Sequence, residues 1–162
     1  MKSDRWPIKV ATIGKAEAPV RVMLTFGIHG REYLSSEIGL ALIQDLCSGS
    51  PRTAKILKNT AFKILPVTNP SGRHLTDASD GEMLSLGSQD CTDRRKNFHG
   101  VDLNRNFDWH WNSGAGSSGD PLAQDYRGKK PLSEVESRIL DALAGEWKPH
   151  MYIDIHTGAL CM

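Results

Sequence analysis

Two histidines and one glutamate have the residue types and the placement of a catalytic metal site. His29 and Glu32 stand three positions apart after one apolar run, and His156 follows a second apolar run. Two imidazoles and one carboxylate hold a zinc ion and leave a fourth position open for water or substrate, whereas structural zinc is usually closed by four protein ligands. These residues predict a site for one zinc ion, although chance alone would place a His-x-x-Glu pair in about one chain in four of this composition.

Length and composition are those of an ordinary globular domain. The 162 residues are 39% hydrophobic and 24% charged, which fits one domain over residues 1–162 with a sizeable core. Twenty basic and nineteen acidic side chains leave a net charge of +1, so we expect neither nucleic acid nor a membrane as a partner. The first residues lack the apolar core of a signal peptide and no run is long enough to span a bilayer, so the chain as written is expected to be cytoplasmic.

Apolar runs with strand character alternate with helical repeats along the chain. Strands are predicted over residues 5–13, 20–28, 61–67 and 151–155, and helices over residues 32–46 and 133–147. This alternation indicates an α/β fold with helices packed on a sheet, in which ligands gather at the carboxyl ends of the strands. His29 and His156 both follow such strand ends, so the predicted fold can bring them together.

A long polar segment separates the two halves of this pattern. Residues 70 to about 131 show no sustained amphipathic period, and we interpret them as a functional loop because structureless loops beyond about 15 residues are uncommon in compact domains. After this segment, Ser133 and Glu136 match a capping box, in which Ser133 accepts a hydrogen bond from the Glu136 backbone and Glu136 reaches back to the Ser133 amide. The pair predicts where the last helix begins.

Asn104 and Arg105 lie inside the polar segment and carry donors that suit an anion. A guanidinium presents paired donors that fit a carboxylate, and the neighbouring amide adds another. On residue types alone, an anion-binding site near the metal and a solvated basic turn are equally open.

Seven short motifs are informative as an ordered set. They are His29-x-x-Glu32, Pro66-x-x-Asn69-Pro70-x-Gly72, Arg95-Lys96, Gly100-Val101-Asp102-x-Asn104-Arg105-Asn106-Phe107, Tyr126-x-Gly128, Ser133-Glu134-x-Glu136 and Ile155-His156-Thr157. Together they make the chain resemble, from Val20 onward, the zinc metallocarboxypeptidases, the family of carboxypeptidases A and B. The resemblance implies the family's mixed, mostly parallel sheet flanked by helices, and a hydrolase that removes the terminal residue from the carboxyl end of a peptide or protein.

The resemblance also implies a role for each residue around the metal. His29, Glu32 and His156 would hold the zinc ion, and Asp102 would orient the imidazole of His29 and raise its basicity. Arg95 matches the family arginine that polarises the scissile carbonyl and stabilises the developing oxyanion. The metal site and its neighbours are therefore expected to form one catalytic centre.

The substrate residues follow from the same resemblance. Asn104 and Arg105 would clamp the free carboxylate of the terminal residue, and Arg31 would line the same cleft. Because only a chain end offers an anion at that position, this clamp is the expected origin of exopeptidase specificity.

In the family, the general base, a substrate-binding tyrosine and the residues of the specificity pocket all follow the third metal ligand, and none of them has a match in this chain. The family's general base, a glutamate that takes a proton from the attacking water, lies well downstream of the third metal ligand, and only six residues follow His156 here. We therefore expect a catalytic domain truncated at its carboxyl end. Because such a base contributes about 10²- to 10⁴-fold in rate, the fragment is expected to be weak or inactive, and to self-associate through an uncovered sheet.

Two other functions fit part of the pattern. An aspartoacylase-like zinc deacylase would share the zinc ligands and an Asn-Arg pair, whereas Arg95-Lys96 and the Ser-Glu-x-Glu segment favour the peptidase. A catalytically dead, zinc-binding interaction module would account for the missing base. All three functions predict the same zinc ion.

Overall fold

Four strands form the mixed, mostly parallel sheet that the sequence predicts. In a computed structural model, which describes residues 6–77, 93–114 and 116–158, the strands lie in the order β1-β3-β2-β4. β2 pairs in parallel with both β3 and β4, and β1 pairs antiparallel with β3. The strands are β1 (Ala11–Ile13), β2 (Val20–Phe26), β3 (Thr60–Leu65) and β4 (Met151–Ile155).

Four α-helices are present in the described ranges, two more than the sequence pattern predicts. They are α1 (Tyr33–Leu46), α2 (Pro51–Leu57), α3 (Pro70–Asp77) and α4 (Val135–Trp147). Short 3-10 turns lie at Asp93–Arg95 and Leu103–Arg105. None of the described helices combines the length and the apolar character needed to cross a bilayer.

The two additional helices correct the loop assignments. The segment around Pro51 does end α1, but it also starts α2, because the Ser50 side chain accepts from the Thr53 amide at 3.2 Å and proline fits the first turn of a helix. The predicted long loop is helical at its start, where α3 occupies Pro70–Asp77. Eight residues are too few for a clear apolar period, so tertiary contacts decide this helix.

The core lies on both faces of the sheet, as the two-residue period of the strands requires. One buried cluster contains Leu24, Phe26, Leu46 and Ile64. The other contains Met23, Leu65 and Leu140, and so joins α4 to the opposite face.

Helix α1 packs on the sheet through small residues. A Cβ atom on Gly39 would lie 2.9 Å from the Phe26 ring, and Ser35 and Ser36 are buried beside it. Leu34 and Ile38, which carry the predicted apolar repeat, are 61% and 43% exposed. The helix is thus where the sequence predicts it. Leu46 of the predicted repeat is buried, but at the start of the helix the buried positions are held by small residues.

The predicted capping box is wrong. The N-cap of α4 is Glu134, and it makes no side-chain capping bond. The Ser133 hydroxyl instead donates to Glu134 Oε1 at 2.7 Å, and Glu136 Oε1 accepts from Ser71 at 3.1 Å. Both carboxylates are buried and find tertiary partners, which compete with the local hydrogen bonds of a cap.

Candidate metal centre

The three predicted metal ligands meet where β2 and β4 end. Phe26 and Ile155 are register partners on these parallel strands. The residues that follow both strands therefore start side by side at the carboxyl ends of the strands. The candidate ligand atoms of His29, Glu32 and His156 all lie within 4.8 Å of one another. Parallel pairing of two strands far apart in sequence therefore builds the site.

Both histidines turn the same ring nitrogen toward Glu32. His29 Nδ1 lies 2.6 Å from Glu32 Oε1, and His156 Nδ1 lies 3.1 Å from Glu32 Oε2. Two imidazole nitrogens converging on one carboxylate match the His₂Glu donor set of open zinc sites. The donors fit zinc, and the side chain of His156, which is 35% exposed, leaves one side of the site accessible.

Electrostatics in this cluster favour a cation between the ligands. Burial raises the pKa of Glu32, but hydrogen bonds from His156 and His29 outweigh it and hold that pKa at about 2. Hydrogen bonds to Asp154 and Glu32 raise the pKa of His156 to about 10. The carboxylate is therefore ionised at neutral pH, and positive charge beside it is stabilised.

Close backbone packing fixes the loop that carries His29. A Cβ atom on Gly30 would lie 2.4 Å from the backbone of Gly72, and one on Gly72 would lie 2.5 Å from the Lys96 carbonyl oxygen. The Asn69 side chain donates to the Ile28 carbonyl at 3.1 Å and accepts from the Gly72 amide at 2.8 Å. These contacts explain the Asn-Pro-x-Gly motif physically: it locks the metal-binding loop against its neighbours.

Asp102 lies behind His29, as the resemblance implies. Its side chain is fully buried, and Oδ1 lies 3.2 Å from His29 Nε2. Burial raises the pKa of Asp102, but hydrogen bonding to His29 and the charge of Arg95 outweigh it, so the pKa lies below its usual value. An ionised carboxylate on the outer ring nitrogen leaves the inner nitrogen free for a metal.

Arg95 completes the wall of the site. Its Nε donates to Asp102 Oδ2 at 2.8 Å, and its Nη2 lies 2.7 Å from the same oxygen. The remaining terminal nitrogen, Nη1, lies 3.4 Å from His29 Nδ1. Arg95 is thus held beside the metal ligands, with one end of its guanidinium directed at His29.

The predicted carboxylate clamp adjoins the third ligand. Asn104 Nδ2 lies 3.3 Å from His156 Nε2, and Arg105 Nη1 donates to the Asn104 carbonyl at 3.0 Å. Both residues line a cavity of about 280 Å³ that also contacts the indoles of Trp109 and Trp111. The structure therefore places Asn104 beside the third ligand, with Arg105 bonded to the Asn104 backbone in the adjoining cavity.

The side chain of Arg31 contacts Gln124, and its place in the substrate cleft stays a prediction; the remaining histidines lie outside the metal cluster. Arg31 Nη2 lies 3.5 Å from Gln124 Oε1. None of the other four histidines belongs to the metal cluster found among the described residues; they are His74, His99, His110 and His150, all exposed.

Two groups in and around the site were not predicted from the sequence. Asp154 Oδ2 lies 2.8 Å from His156 Nε2. Asn97 is buried and joins Glu134 and Glu136, donating to their carboxylates at 2.8 and 3.4 Å. The contact of Asp154 with His156 could have been predicted, since residues two apart along a strand share one face. The sequence around Asn97 does not indicate its contacts with Glu134 and Glu136, which are far away in the chain.

Comparison with known proteins places the chain in a family. A sequence profile described as zinc carboxypeptidase matches residues 5–162. A carboxypeptidase B of Astacus astacus is 32% identical over 133 residues, which cover 81% of this chain and 43% of that protein. A zinc carboxypeptidase of Simulium vittatum is 32% identical over 145 residues, covering 84% and 44%. The chain belongs to the zinc carboxypeptidase family and spans less than half the length of these two relatives.

Solved structures with a similar fold support the fold class. Thrombin-activatable fibrinolysis inhibitor matches with a TM-score of 0.79 and 28% identity, over 98% of this chain and 40% of that one. Carboxypeptidase A from Helicoverpa armigera matches with a TM-score of 0.72 and 28% identity, over 94% and 38%. The predicted fold class is confirmed.

Proposed function

We propose that this chain forms the metal-binding and carboxylate-binding part of a zinc carboxypeptidase, which hydrolyses the terminal peptide bond at the carboxyl end of a peptide or protein. The observation that carries the proposal is the convergence of His29 Nδ1, His156 Nδ1 and the Glu32 carboxylate. Family membership supports the reaction class. The adjacent Asn104 and Arg105 support an anionic chain end as the recognised group.

Each residue has a distinct task in this proposal. Bound zinc would act as a Lewis acid that polarises the scissile carbonyl. Arg95 adds a fixed positive charge on the same side, which stabilises negative charge developing on the carbonyl oxygen. Arg105 and Asn104 bind the free carboxylate and so set how far the scissile bond lies from the chain end.

Proton transfer from the attacking water needs a further group. The described carboxylates in and beside the metal site already have partners: Glu32, Asp102 and Asp154 each contact a histidine ring. We therefore propose that none of them is the general base, and that these 162 residues alone turn over slowly. The expected deficit is about 10²- to 10⁴-fold relative to an enzyme with a positioned base.

Zinc binding is the first test, because it does not depend on turnover. We expect one zinc ion per chain in a chelator-competition titration, with the affinity lowered more than 100-fold by His29→Ala or His156→Ala, beyond the roughly 10- to 100-fold typical of losing an outer partner. His110→Ala is the matched control, because His110 is exposed and outside the cluster. If the wild type and both ligand variants bound zinc with equal affinity, the proposed zinc site would be wrong.

The reaction itself separates the candidate functions. A blocked dipeptide with a free carboxylate and an N-acyl amino acid are offered to the zinc-loaded protein, with the metal-free protein as the control. Preference for the dipeptide supports the carboxypeptidase. Preference for the N-acyl amino acid would instead establish the deacylase, which shares the ligands and the Asn-Arg pair. Zinc binding without hydrolysis of either compound would favour the interaction module, provided that the assay detects turnover about 10⁴-fold below that of an enzyme with a positioned base.

We also propose that this chain self-associates through β4. Among the described strands, β4 forms one edge of the sheet. Three consecutive apolar side chains on it are exposed: Met151 by 53%, Tyr152 by 43% and Ile153 by 40%. An exposed apolar strand with open backbone groups pairs readily with another chain.

A further inference from the structure

Each histidine of the metal centre lies between two carboxylates. For His29 these are Glu32 at Nδ1 and Asp102 at Nε2, the latter at 3.2 Å. For His156 they are Glu32 at Nδ1 and Asp154 at Nε2, the latter at 2.8 Å. The second arrangement repeats the first at the other histidine, although Asp154 lies on β4 and Asp102 lies just before a 3-10 turn.

Asp154 is itself held in place by β2. Thr25 and Asp154 are register partners on the paired strands, and the Thr25 hydroxyl donates to Asp154 Oδ1 at 2.8 Å. Thr25 is fully buried, and the side chain of Asp154 is only 15% exposed. Thr25 therefore hydrogen-bonds Oδ1 of Asp154, while Oδ2 faces His156.

The oxygen that faces His156 needs a donor. Asp154 Oδ2 is buried and makes no aligned hydrogen bond with any described residue, yet it lies in ion-pair contact with His156 Nε2. Buried carboxylate oxygens are normally satisfied. The nearest donor available to this oxygen is a proton on His156 Nε2, which a turn of the imidazole would align with it. An unprotonated Nε2 would instead place its lone pair against a negative oxygen.

We propose that Asp154 is the positioning residue for His156: by holding the proton on Nε2, it directs the Nδ1 lone pair toward the metal. The inference rests on the proposed zinc site. A carboxylate behind a ligand imidazole fixes the tautomer, sets the ring orientation and raises the basicity of the coordinating nitrogen.

Asn104 offers the competing arrangement. Its Nδ2 lies 3.3 Å from the same ring nitrogen and, as a donor, would favour an unprotonated Nε2 and a proton on Nδ1. The shorter contact is the charged one to Asp154. Because the oxygen and nitrogen of an amide exchange places on a flip, Asn104 can also turn its oxygen toward an Nε2 proton.

Zinc affinity of the Asp154→Asn variant tests the inference. We expect the affinity to fall about 10- to 100-fold in a chelator-competition titration, the range typical of losing such a partner. Asp141→Asn is the matched control, because Asp141 is exposed, lines the same cavity as Asp154 and loses the same charge. Thr25→Val leaves residue 154 as aspartate but removes the hydroxyl that donates to its Oδ1. We expect this variant to lose zinc affinity by a smaller factor than Asp154→Asn.

A spectroscopic measurement keeps the test independent of the variant's folding. In the ¹⁵N-histidine NMR spectrum of the zinc-loaded wild type, we expect His156 to bind through Nδ1 and to carry its proton on Nε2. Coordination through Nε2 would overturn the inference, as would an Asp154→Asn variant that is folded by circular dichroism and binds zinc within twofold of the wild type. If the wild type itself binds no zinc, the proposed metal centre is wrong. If it binds zinc and Asp154→Asn binds it equally well, only the positioning role of Asp154 is wrong.

Discussion

At the scale of single residues, Glu32 is the centre of the site. One carboxylate contacts both histidines, while Asp102 and Asp154 contact the outer nitrogens of the same two rings. Three carboxylates thus surround two imidazoles. A divalent cation between the inner nitrogens would offset this charge. Because the same carboxylates raise the pKa of His156 to about 10, zinc would have to displace a proton from that ring.

Arg105 should determine whether the protein distinguishes a free carboxylate from an amide. We expect the zinc-loaded wild type to bind a dipeptide acid more tightly than its carboxamide, and Arg105→Gln to lose most of that preference. A charge-assisted hydrogen bond contributes about 1.5–3 kcal/mol, which corresponds to roughly 10-fold or more in the dissociation constant. The two dissociation constants are measured by calorimetry.

The control for Arg105 is another arginine. Arg52 has a side chain that is 78% exposed and lies in α2, so Arg52→Gln makes the same change of charge elsewhere on the surface. A preference for the acid that survives in Arg105→Gln would exclude Arg105 from the clamp.

At the scale of elements, glycines set how closely the metal-binding loop packs. Gly30→Ala would place a Cβ atom 2.4 Å from the Gly72 backbone, which cannot move as a side chain would. We expect the free energy of unfolding to fall by about 1–3 kcal/mol, the usual cost of overpacking. Urea denaturation measures it.

A second glycine gives the opposite expectation. Gly145 lies in the exposed part of α4 with nothing within 4 Å of an added Cβ atom, so Gly145→Ala should raise the free energy of unfolding by about 0.5–1 kcal/mol. Equal effects at the two sites would show that close packing against Gly72 does not decide the effect at Gly30.

The buried carboxylate of Glu134 should give stability that depends on pH. Burial raises the pKa of Glu134, but hydrogen bonds from Asn97, His99 and Ser133 outweigh it, and the pKa lies below its ordinary value of 4.5. A lowered folded pKa stabilises the fold above pH 4.5, and this contribution is lost as the pH falls through the folded pKa. We expect Glu134→Gln to be about 1–3 kcal/mol less stable than the wild type at pH 7, with a deficit that shrinks in acid.

The comparison for Glu134 is on the same helix. Glu146 is exposed on α4, so Glu146→Gln should unfold like the wild type at every pH. A deficit in Glu134→Gln that stays constant from pH 7 into the acid range would mean that its ionisation does not stabilise the fold.

Elements differ in how well the sequence predicts them. The last strand is predicted with its exact bounds, because its apolar run ends at Pro149 on one side and at the ligand His156 on the other. The capping box at Ser133 and the apolar stripe at Leu34 are misleading, since both depend on distant partners: a buried network in one case and the Phe26 ring in the other. Local patterns locate elements, and tertiary contacts decide which face is buried.

At the scale of the whole molecule, β4 carries both the third ligand and an exposed edge. We expect the sedimentation coefficient of the purified chain to rise with concentration, and Ile153→Lys to reduce this association, because charged side chains on an edge strand disfavour pairing. Leu122→Lys is the control, since Leu122 is 89% exposed and lies outside the sheet. A monomer at all concentrations would contradict self-association through β4.

The site as a whole is more predictable than its surroundings. His29, Glu32 and His156 are recognised from their types, and their convergence follows from two strand ends at one edge of a parallel sheet. The spacing predicts no role for Asp154, because its contact with Thr25 depends on the register of the paired strands. Sequence spacing alone does not specify that register.

One measurement addresses the metal centre directly. Anomalous diffraction at the zinc edge from crystals of the zinc-loaded chain should give one strong peak, within bonding distance of His29 Nδ1, His156 Nδ1 and the Glu32 carboxylate. A peak elsewhere, or a zinc ion bound without these three side chains, would contradict the account.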